Sequence, residues 1–284
     1  MYDNFKWTSI SEGRNGVLQQ YEPLQPFLLY ELAKHVGATV FIDIGANIGA
    51  YTLFLSKLPR MTTIRSFEAA PATFRELETN LRLNDALRVV LPVQKAVSSS
   101  FGTVSFGIVS DYSGANGVSA TSLRSGYPHT LTVEADTLDS LVDFRDQVCA
   151  VKIDVEGHEP HVLAGGRQFF TSNQVILQIE DYDATADKSA TRALNEMSYR
   201  RLVKVGPDAY FSNILGIGPE VILRALEDAS SELIRFNLRP KAGSDSAQPA
   251  IVHLPGGIEI RIAGGLARAG RRLKTYLKRK RAEG

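Results

Sequence analysis

Residues 39–53, TVFIDIGANIGAYTL, decide how the rest of the sequence is interpreted. The stretch begins with an apolar run from Val40 to Ile42 and meets an acid at Asp43. It then turns through small residues before apolar residues resume at helical spacing. A continuous apolar run is typical of a parallel strand that is buried on both faces. The stretch therefore predicts a buried strand, a tight glycine loop and a helix.

The loop in this stretch is suited to an adenosyl group. Gly45 and Gly49 let a ligand lie on the backbone, and the start of the next helix offers unpaired N–H groups. A dinucleotide fingerprint needs glycines at positions 45, 47 and 50, but the chain has Asn47 and Ala50. Asp43 would crowd a pyrophosphate and suits a positive centre. The pattern therefore favours S-adenosylmethionine, with its sulfonium and amine, over NAD.

Composition and charge narrow the class of protein. The chain has 284 residues, is 44% hydrophobic and carries a net charge of +1. From Arg268 onward it has eight Lys or Arg and one acid, a net of +7, so residues 1–267 carry −6. The single cysteine, Cys149, excludes an internal disulfide and a thiolate metal site. With no secretory leader and no membrane-spanning run, the sequence predicts a soluble, cytoplasmic protein.

Strands and helices alternate along the chain, which predicts an α/β fold. After the first strand, six more are predicted at residues 62–68, 88–97, 148–155, 175–179, 200–205 and 209–215. The short turn at residues 206–208 makes the last two strands antiparallel. Short β segments at 102–109 and 131–135 flank a polar loop at 110–129, a length that indicates a lid or binding loop.

Two acidic strand ends are candidates for ligand contacts. Glu68 follows the glycine turn by a little over twenty residues, the position from which a carboxylate reaches ribose hydroxyls. Residues 152–159, KIDVEGHE, leave the fourth strand at the same edge of the sheet. An alcohol attacks a methyl sulfonium productively only when a base takes its proton. The candidate bases are Asp154, Glu156, His158 and Glu159.

Three stretches in this order, FIDIGANIGAYTL, FEAAPATFRELETNL and VKIDVEGHEPHVLAGG, resemble the FkbM-type family of S-adenosylmethionine-dependent methyltransferases. The similarity covers roughly residues 21–215. It implies a Rossmann-like class I methyltransferase fold, with a seven-stranded, mostly parallel sheet and an antiparallel terminal hairpin. It also implies a cofactor site for S-adenosyl-L-methionine, made of Asp43, Gly45, Ala46, Asn47, Gly49, Glu68, Lys95, Ala96 and Asp154.

The resemblance implies an O-methyltransferase that acts on a hydroxyl of a saccharide, glycolipid or similar hydroxylated small molecule. A nucleic-acid methyltransferase is an alternative suggested by the basic tail. Nucleic acid is not an expected partner, because acids after the fourth strand would repel phosphates. A non-catalytic S-adenosylmethionine-binding protein is a further alternative. A divalent metal such as Mg²⁺ on Asp154, Glu180 and Asp181 is left open but not predicted.

The predicted organisation has three parts. Residues 1–38 form a lead-in helical region, and residues 39–236 form the methyltransferase domain. Residues 237–284 comprise a linker, a hairpin at 251–262 and a basic amphipathic helix at 263–281. Such a helix suits peripheral contact with an anionic membrane surface, here the inner face of the membrane.

Overall fold

A computed structural model describes residues 5–9, 11, 22–109, 116–121, 127–181, 189–237, 250–254 and 258–262, with side chains described through residue 233. The strands are β1 (Val40–Ile44), β2 (Thr63–Phe67), β3 (Val90–Val93), β4 (Ala96–Val97), β5 (Gly102–Ile108), β6 (Gly117–Val118), β7 (His129–Asp136), β8 (Val148–Ile153), β9 (Gln174–Glu180), β10 (Arg200–Val205), β11 (Asp208–Ser212), β12 (Ala250–Leu254) and β13 (Ile258–Ile262). The helices are α1 (Gln25–Val36), α2 (Ala50–Leu55), α3 (Pro71–Leu83), α4 (Leu138–Leu141), α5 (Glu159–Gly165), α6 (Arg167–Ser172), α7 (Ser189–Glu196) and α8 (Pro219–Asn237), with a 3₁₀ turn at Ala86–Arg88.

The larger sheet has the strand order β13-β12-β10-β11-β9-β8-β1-β2-β3. The five strands from β9 to β3 run parallel to one another, whereas β11 is antiparallel to both β9 and β10. The expected class I fold, a seven-stranded, mostly parallel sheet with an antiparallel hairpin, is thus confirmed. Two further strands extend this sheet, because the β12–β13 hairpin pairs with β10.

Helices cover both faces of the larger sheet because its central strands are apolar on both sides. All five residues of β1 are buried. Phe41 packs with the cluster that includes α1, α2, α3 and α8, whereas Ile42 packs with the cluster that includes α4 to α7. Alternate residues of a strand therefore supply two separate cores, and the carboxyl ends of the parallel strands are left to form a crevice.

The prediction of one strand over residues 88–97 is wrong. The chain forms β3, turns so that Lys95 N donates to Val93 O at 3.1 Å, and then forms β4 in a different sheet. This smaller sheet has the order β4-β7-β5-β6 and its own apolar cluster. Apolar residues lie on both sides of Gln94, so the sequence predicts one continuous strand. The turn at Gln94 and Lys95 is what sends the chain from the larger sheet into the smaller one. As a result, Lys95 and Ala96 lie at the junction between the sheets.

Several predicted features lie wholly or partly outside the described residues. They are the linker before residue 250, the helix at 263–281, and residues 110–115 and 122–126 of the polar loop. The division of the chain at residues 38 and 236 stays a prediction. Within the described part of the chain, no helix combines the length and the apolar character needed to cross a bilayer.

Gly165 offers a test of how the smaller sheet is held. A Cβ at this position would lie 2.0 Å from the carbonyl oxygen of Ser98, so Gly165→Ala must displace backbone. We expect it to lower the free energy of unfolding by about 1–3 kcal/mol, measured by urea denaturation. Gly218→Ala is the control, because no described atom lies within 4 Å of its Cβ position. Equal stability of the two variants would contradict this packing.

Candidate active site

A cleft of about 600 Å³ lies where the two sheets meet. The ends of β1, β2 and β8 form one wall, and β4, β5 and β6 form the other. The lining residues are Ile44, Gly45, Asn47, Phe67, Glu68, Ala69, Thr73, Lys95, Ala96, Val97, Phe106, Asn116, Gly117, Val118, Asp154, Val155 and His158. Six of the nine residues predicted to bind the cofactor are among them: Gly45, Asn47, Glu68, Lys95, Ala96 and Asp154.

The glycine loop is fixed by close backbone contacts. Gly45 has a φ of 80°, and a Cβ there would lie 1.9 Å from the carbonyl oxygen of Asp154. The N–H groups of Gly45 and Ala46 both donate to Phe67 O, at 3.0 and 2.9 Å. Asn47 follows with a φ of 53°, a left-handed conformation that Asn tolerates better than most residues. The loop therefore reaches the cleft in one defined backbone conformation.

Glu68 is the carboxylate that the spacing places opposite the loop. It is 8% exposed, and its Oε2 accepts a hydrogen bond from Asn47 N at 2.9 Å. Its Oε1 accepts from Ala70 N, also at 2.9 Å. Charge-assisted bonds of this kind fix the orientation of a carboxylate. Because each carboxylate oxygen has two lone pairs, Glu68 can accept further bonds from hydroxyl groups in the cleft.

Asp43, Ala46 and Gly49, also predicted to bind the cofactor, are not among the residues that line the described cleft. Asp43 is 1% exposed, and its Oδ2 accepts from Thr52 Oγ1 of α2 at 2.6 Å. The reason is strand alternation, since Asp43 shares a face of β1 with Phe41, beneath α2. Its Oδ1 is buried without a hydrogen-bond partner among the described atoms. Asp43 therefore bonds α2 in the described structure, and its role in binding the cofactor stays a prediction.

A buried lysine lies at the centre of the acids beneath the cleft. Lys152 is 4% exposed, and its Nζ donates to Asp154 Oδ2 at 2.6 Å. Burial alone would lower the pKa of Lys152, but the carboxylates of Asp154, Glu22 and Asp43 raise it above its ordinary value. Conversely, burial raises the pKa of Asp43 to about 6, against the opposing effect of Lys152. The lysine is thus a fixed positive charge that lies between Asp43 of β1 and the fourth-strand motif.

The four candidate bases have different surroundings. The side chain of Asp154 is 27% exposed and lines the cleft. Glu156 is half-buried with a left-handed φ of 54°, and its Cβ lies near Gly117 of the opposite wall. Left-handed conformations of residues other than glycine are concentrated at functional sites. Asp154 therefore faces the cleft, and Glu156 lies beside Gly117 of the smaller sheet.

His158 and Glu159 are engaged in holding the structure together. The ring nitrogens of His158 lie 3.0 Å from Ser98 Oγ and 2.8 Å from Thr121 Oγ1, so the ring links α5 to two parts of the smaller sheet. Glu159 is 6% exposed, and its Oε1 accepts from the backbone N–H groups of Val155 and Gly157. Their assignment as bases stays a prediction, but these contacts favour a structural task.

Asp154, Glu180 and Asp181, the possible metal ligands, have different surroundings. Asp154 is bound by Lys152, whereas Asp181 Oδ2 lies 3.5 Å from Arg201 Nη1. Burial and neighbouring carboxylates raise the pKa of Glu180, which favours its neutral form. Among the described residues, no three His, Cys, Asp or Glu side chains are grouped to hold a metal ion. The structure therefore gives no support to a site on Asp154, Glu180 and Asp181.

The wall formed by the smaller sheet was predicted only in part, since Lys95, Ala96 and the loop at 110–129 were expected near a ligand and Phe106 was not. Phe106, Gly117 and Val118 line the cleft from β5 and β6. The sequence predicted short β segments here. Their position beside the larger sheet depends on strand pairing, in which Phe106 pairs with Val118 and with Leu131. Such non-local pairing has no local signal in the chain, so the place of Phe106 in this wall could be found only from the fold.

A comparison with protein families shows where the chain belongs. The family model described as Methyltransferase FkbM domain matches residues 43–201, more than half of the chain. The chain belongs to the FkbM methyltransferase family. The match begins at Asp43 and takes in the glycine loop, Glu68, the smaller sheet and residues 152–159.

Similar proteins match parts of this chain. Hexuronic acid methyltransferase AglP of Haloferax volcanii is 30% identical over 159 residues, which are 55% of this chain and 62% of that protein. Methyltransferase sdnD of Sordaria araneosa is 39% identical over 75 residues, 26% of this chain and 29% of that protein. The chain thus spans less than two thirds of the length of either relative. A crystal structure of methyltransferase FkbM from Methylobacillus flagellatus KT aligns with a TM-score of 0.45 and 16% identity, covering 62% of this chain and 44% of that one.

The surroundings of His158 predict an unusual titration. Burial, together with the stacked His161 ring, lowers the pKa of His158 to about 4. We expect its ring signals in an NMR titration to change near pH 4, and a midpoint above pH 6 would contradict the structure. Because the folded-state pKa lies below the unfolded value, this histidine stabilises the fold fully above pH 6.5. That contribution is lost as the pH falls towards 4, and His158→Asn should reduce the pH dependence of stability in this range.

Proposed function

We propose that this FkbM-family protein is an S-adenosylmethionine-dependent O-methyltransferase that acts on a hydroxyl of a saccharide, glycolipid or similar hydroxylated small molecule. One observation carries the proposal. The glycine loop, Glu68 and Asp154, which come from the ends of three parallel strands, line a single cleft. A cleft outside the carboxyl ends of the strands is where open α/β sheets bind their ligands.

The chemistry of the cleft suits S-adenosylmethionine. Glu68 and Asp154 place two carboxylates in it, one able to accept bonds from ribose hydroxyls and the other able to attract an amine or sulfonium. Asp154 would repel the pyrophosphate of a dinucleotide, whereas an acid at the position of Glu68 suits the ribose of either ligand. The apolar side chains of Val97, Phe106 and Val118 on the other wall offer a surface for a flat base. When bound, S-adenosylmethionine supplies an electrophilic methyl group.

The remaining task for the protein is to remove a proton from the acceptor. Among the predicted bases, Asp154 is the one whose carboxylate lines the cleft. It is held by Lys152, so its position does not depend on the ligand. We assign Asp154 as the base that accepts the hydroxyl proton, with Glu156 beside it orienting the acceptor. General-base catalysis of this kind typically contributes about 10²–10⁴-fold.

Two arguments support a saccharide as the acceptor, namely the chemistry of the cleft and the similarity to one relative. AglP is described as a hexuronic acid methyltransferase, and this chain shares 30% identity with it over 159 residues. A hexuronic acid offers several hydroxyls besides its carboxylate, and each hydroxyl must lose its proton to a base as the methyl group is transferred. The proposed peripheral membrane contact depends on residues 263–281, which lie outside the described residues.

Binding of the cofactor is tested through Glu68. Isothermal titration calorimetry should show that the wild-type protein binds S-adenosylmethionine. We expect Glu68→Gln to weaken binding at least about tenfold, because the amide loses the charge and places an N–H₂ group towards backbone donors. Glu78→Gln is the matched control, since Glu78 pairs with Arg82 on α3 away from the cleft. Wild-type protein that fails to bind S-adenosylmethionine would falsify the proposal.

Methyl transfer is tested with labelled S-adenosylmethionine and a fractionated pool of oligosaccharides and glycolipids, followed by mass spectrometry of the labelled product. With the acceptor identified, Asp154→Asn should lower kcat about 10²–10⁴-fold at saturating cofactor. Asp181→Asn removes a strand-end carboxylate outside the cleft lining and should keep kcat within about twofold of wild type. Binding without transfer to any fraction would instead indicate a non-catalytic binding protein.

A further inference from the structure

The glycine loop is attached to the N-terminal segment through one buried amide. Asn80 of α3 is fully buried, and its Nδ2 donates to Ile48 O in the loop at 2.9 Å. The same Nδ2 donates to Ser11 Oγ at 2.8 Å, while Oδ1 accepts from Thr8 N at 3.2 Å. A single side chain thus satisfies a loop carbonyl and two groups of a segment that lies about seventy residues earlier in the chain.

Residues 5–9 and 11, here called the N-terminal strap, are held on α3 by three side chains spaced one turn apart. Glu76 Oε2 accepts from the hydroxyls of Thr8 and Ser11, and Ser11 is itself fully buried. Asn84 accepts from Lys6 N at 2.8 Å and donates to Lys6 O at 2.7 Å. Residues four apart on a helix lie on one face, so Glu76 and Asn80 form a polar stripe that Asn84, the C-cap of α3, continues.

The bond from Asn80 to Ile48 O matters because the two neighbours of Ile48 shape the cofactor loop. Ile48 follows Asn47, whose N–H binds Glu68 and which lines the cleft in a left-handed conformation. Ile48 precedes Gly49, where a Cβ would lie 2.7 Å from Leu77 Cδ1 of the same helix. Asn80 and Leu77 therefore fix the second half of the loop from α3, as Phe67 fixes the first half. Removing the hydrogen-bond donor of a buried carbonyl such as Ile48 O should shift the equilibrium between the ordered and the displaced loop about tenfold towards the displaced one.

We propose that Asn80 is a positioning residue for the cofactor site, and that the N-terminal strap is part of that site because it holds Asn80. Asn80 acts through the backbone of residues 47–49 and lies outside the set of residues lining the cleft. The consequence for the cofactor rests on the proposed function, whereas the consequence for the loop does not.

The loop is tested first, without ligand. Hydrogen exchange should show that Asn80→Ala speeds exchange of the Asn47 and Gly49 amides about tenfold. Asn84→Ala is the matched control, because its described side-chain bonds go to the backbone of Lys6 and Asn80. Asn84→Ala should loosen the strap without this effect on the loop. Unchanged loop exchange in Asn80→Ala, or equal acceleration in both variants, would overturn the proposal.

The cofactor site is tested second. With S-adenosylmethionine, Asn80→Ala should raise Kd and KM about tenfold while kcat at saturation stays within about twofold, since Asn80 does not touch the reacting groups. Ser11→Ala should raise Kd by a smaller factor, because Asn80 keeps its bond to Ile48. A fall in kcat with unchanged Kd would overturn the assignment. If wild-type protein binds no S-adenosylmethionine, the proposed function fails and the exchange experiment still decides whether Asn80 positions the loop.

Discussion

The close approach of Gly45 to the end of β8 is the constraint on which the site depends. A Cβ on Gly45 would lie 1.9 Å from the carbonyl oxygen of Asp154, so the two backbones meet with no side chain between them. Parallel pairing of β1 with β8 produces this approach, and it continues past the strands through the bond from Asp154 N to Ile44 O at 3.0 Å. The loop that begins at Gly45 and the motif that begins at Asp154 are therefore one unit. Neither can move without the other.

A polar row beneath this junction explains how so many charged groups are tolerated. Strand register places Ser66, Asp43, Lys152, Gln178 and Tyr210 side by side across five strands. Removing one member of a buried charge pair typically costs several kcal/mol, because the other charge remains buried without compensation. Lys152 has carboxylates from β1, β8 and Glu22 around it, so its charge is balanced whichever of them is ionised. The side chains of this row therefore stabilise the site from within the sheet. Polar residues of these types in a sequence motif are often interpreted as ligand-binding residues.

The sequence predicted the features that depend on local pattern and spacing. The apolar run before Asp43 located β1, and the distance from Gly45 to Glu68 placed the second carboxylate opposite the loop. It could not separate β3 from β4, because the break at Gln94 and Lys95 is a backbone turn within apolar residues. It also could not assign Asn80, whose partner Ser11 lies 69 residues away. Strand alternation places Asp43 on the same face of β1 as Phe41, so the sequence also contains the signal for its burial beneath α2.

Acidic residues near the cleft do not all contribute negative charge to it. Burial with neighbouring carboxylates raises the pKa of Glu180 far enough to hold it neutral. A carboxylic acid held neutral can donate a hydrogen bond but cannot serve as a base. Among the candidate bases, Glu159 is buried and burial raises its pKa, which argues against it as a base. The acid that remains both open to solvent and aimed into the cleft is Asp154, and this difference in exposure, more than its place in the motif, argues for its assignment as the base.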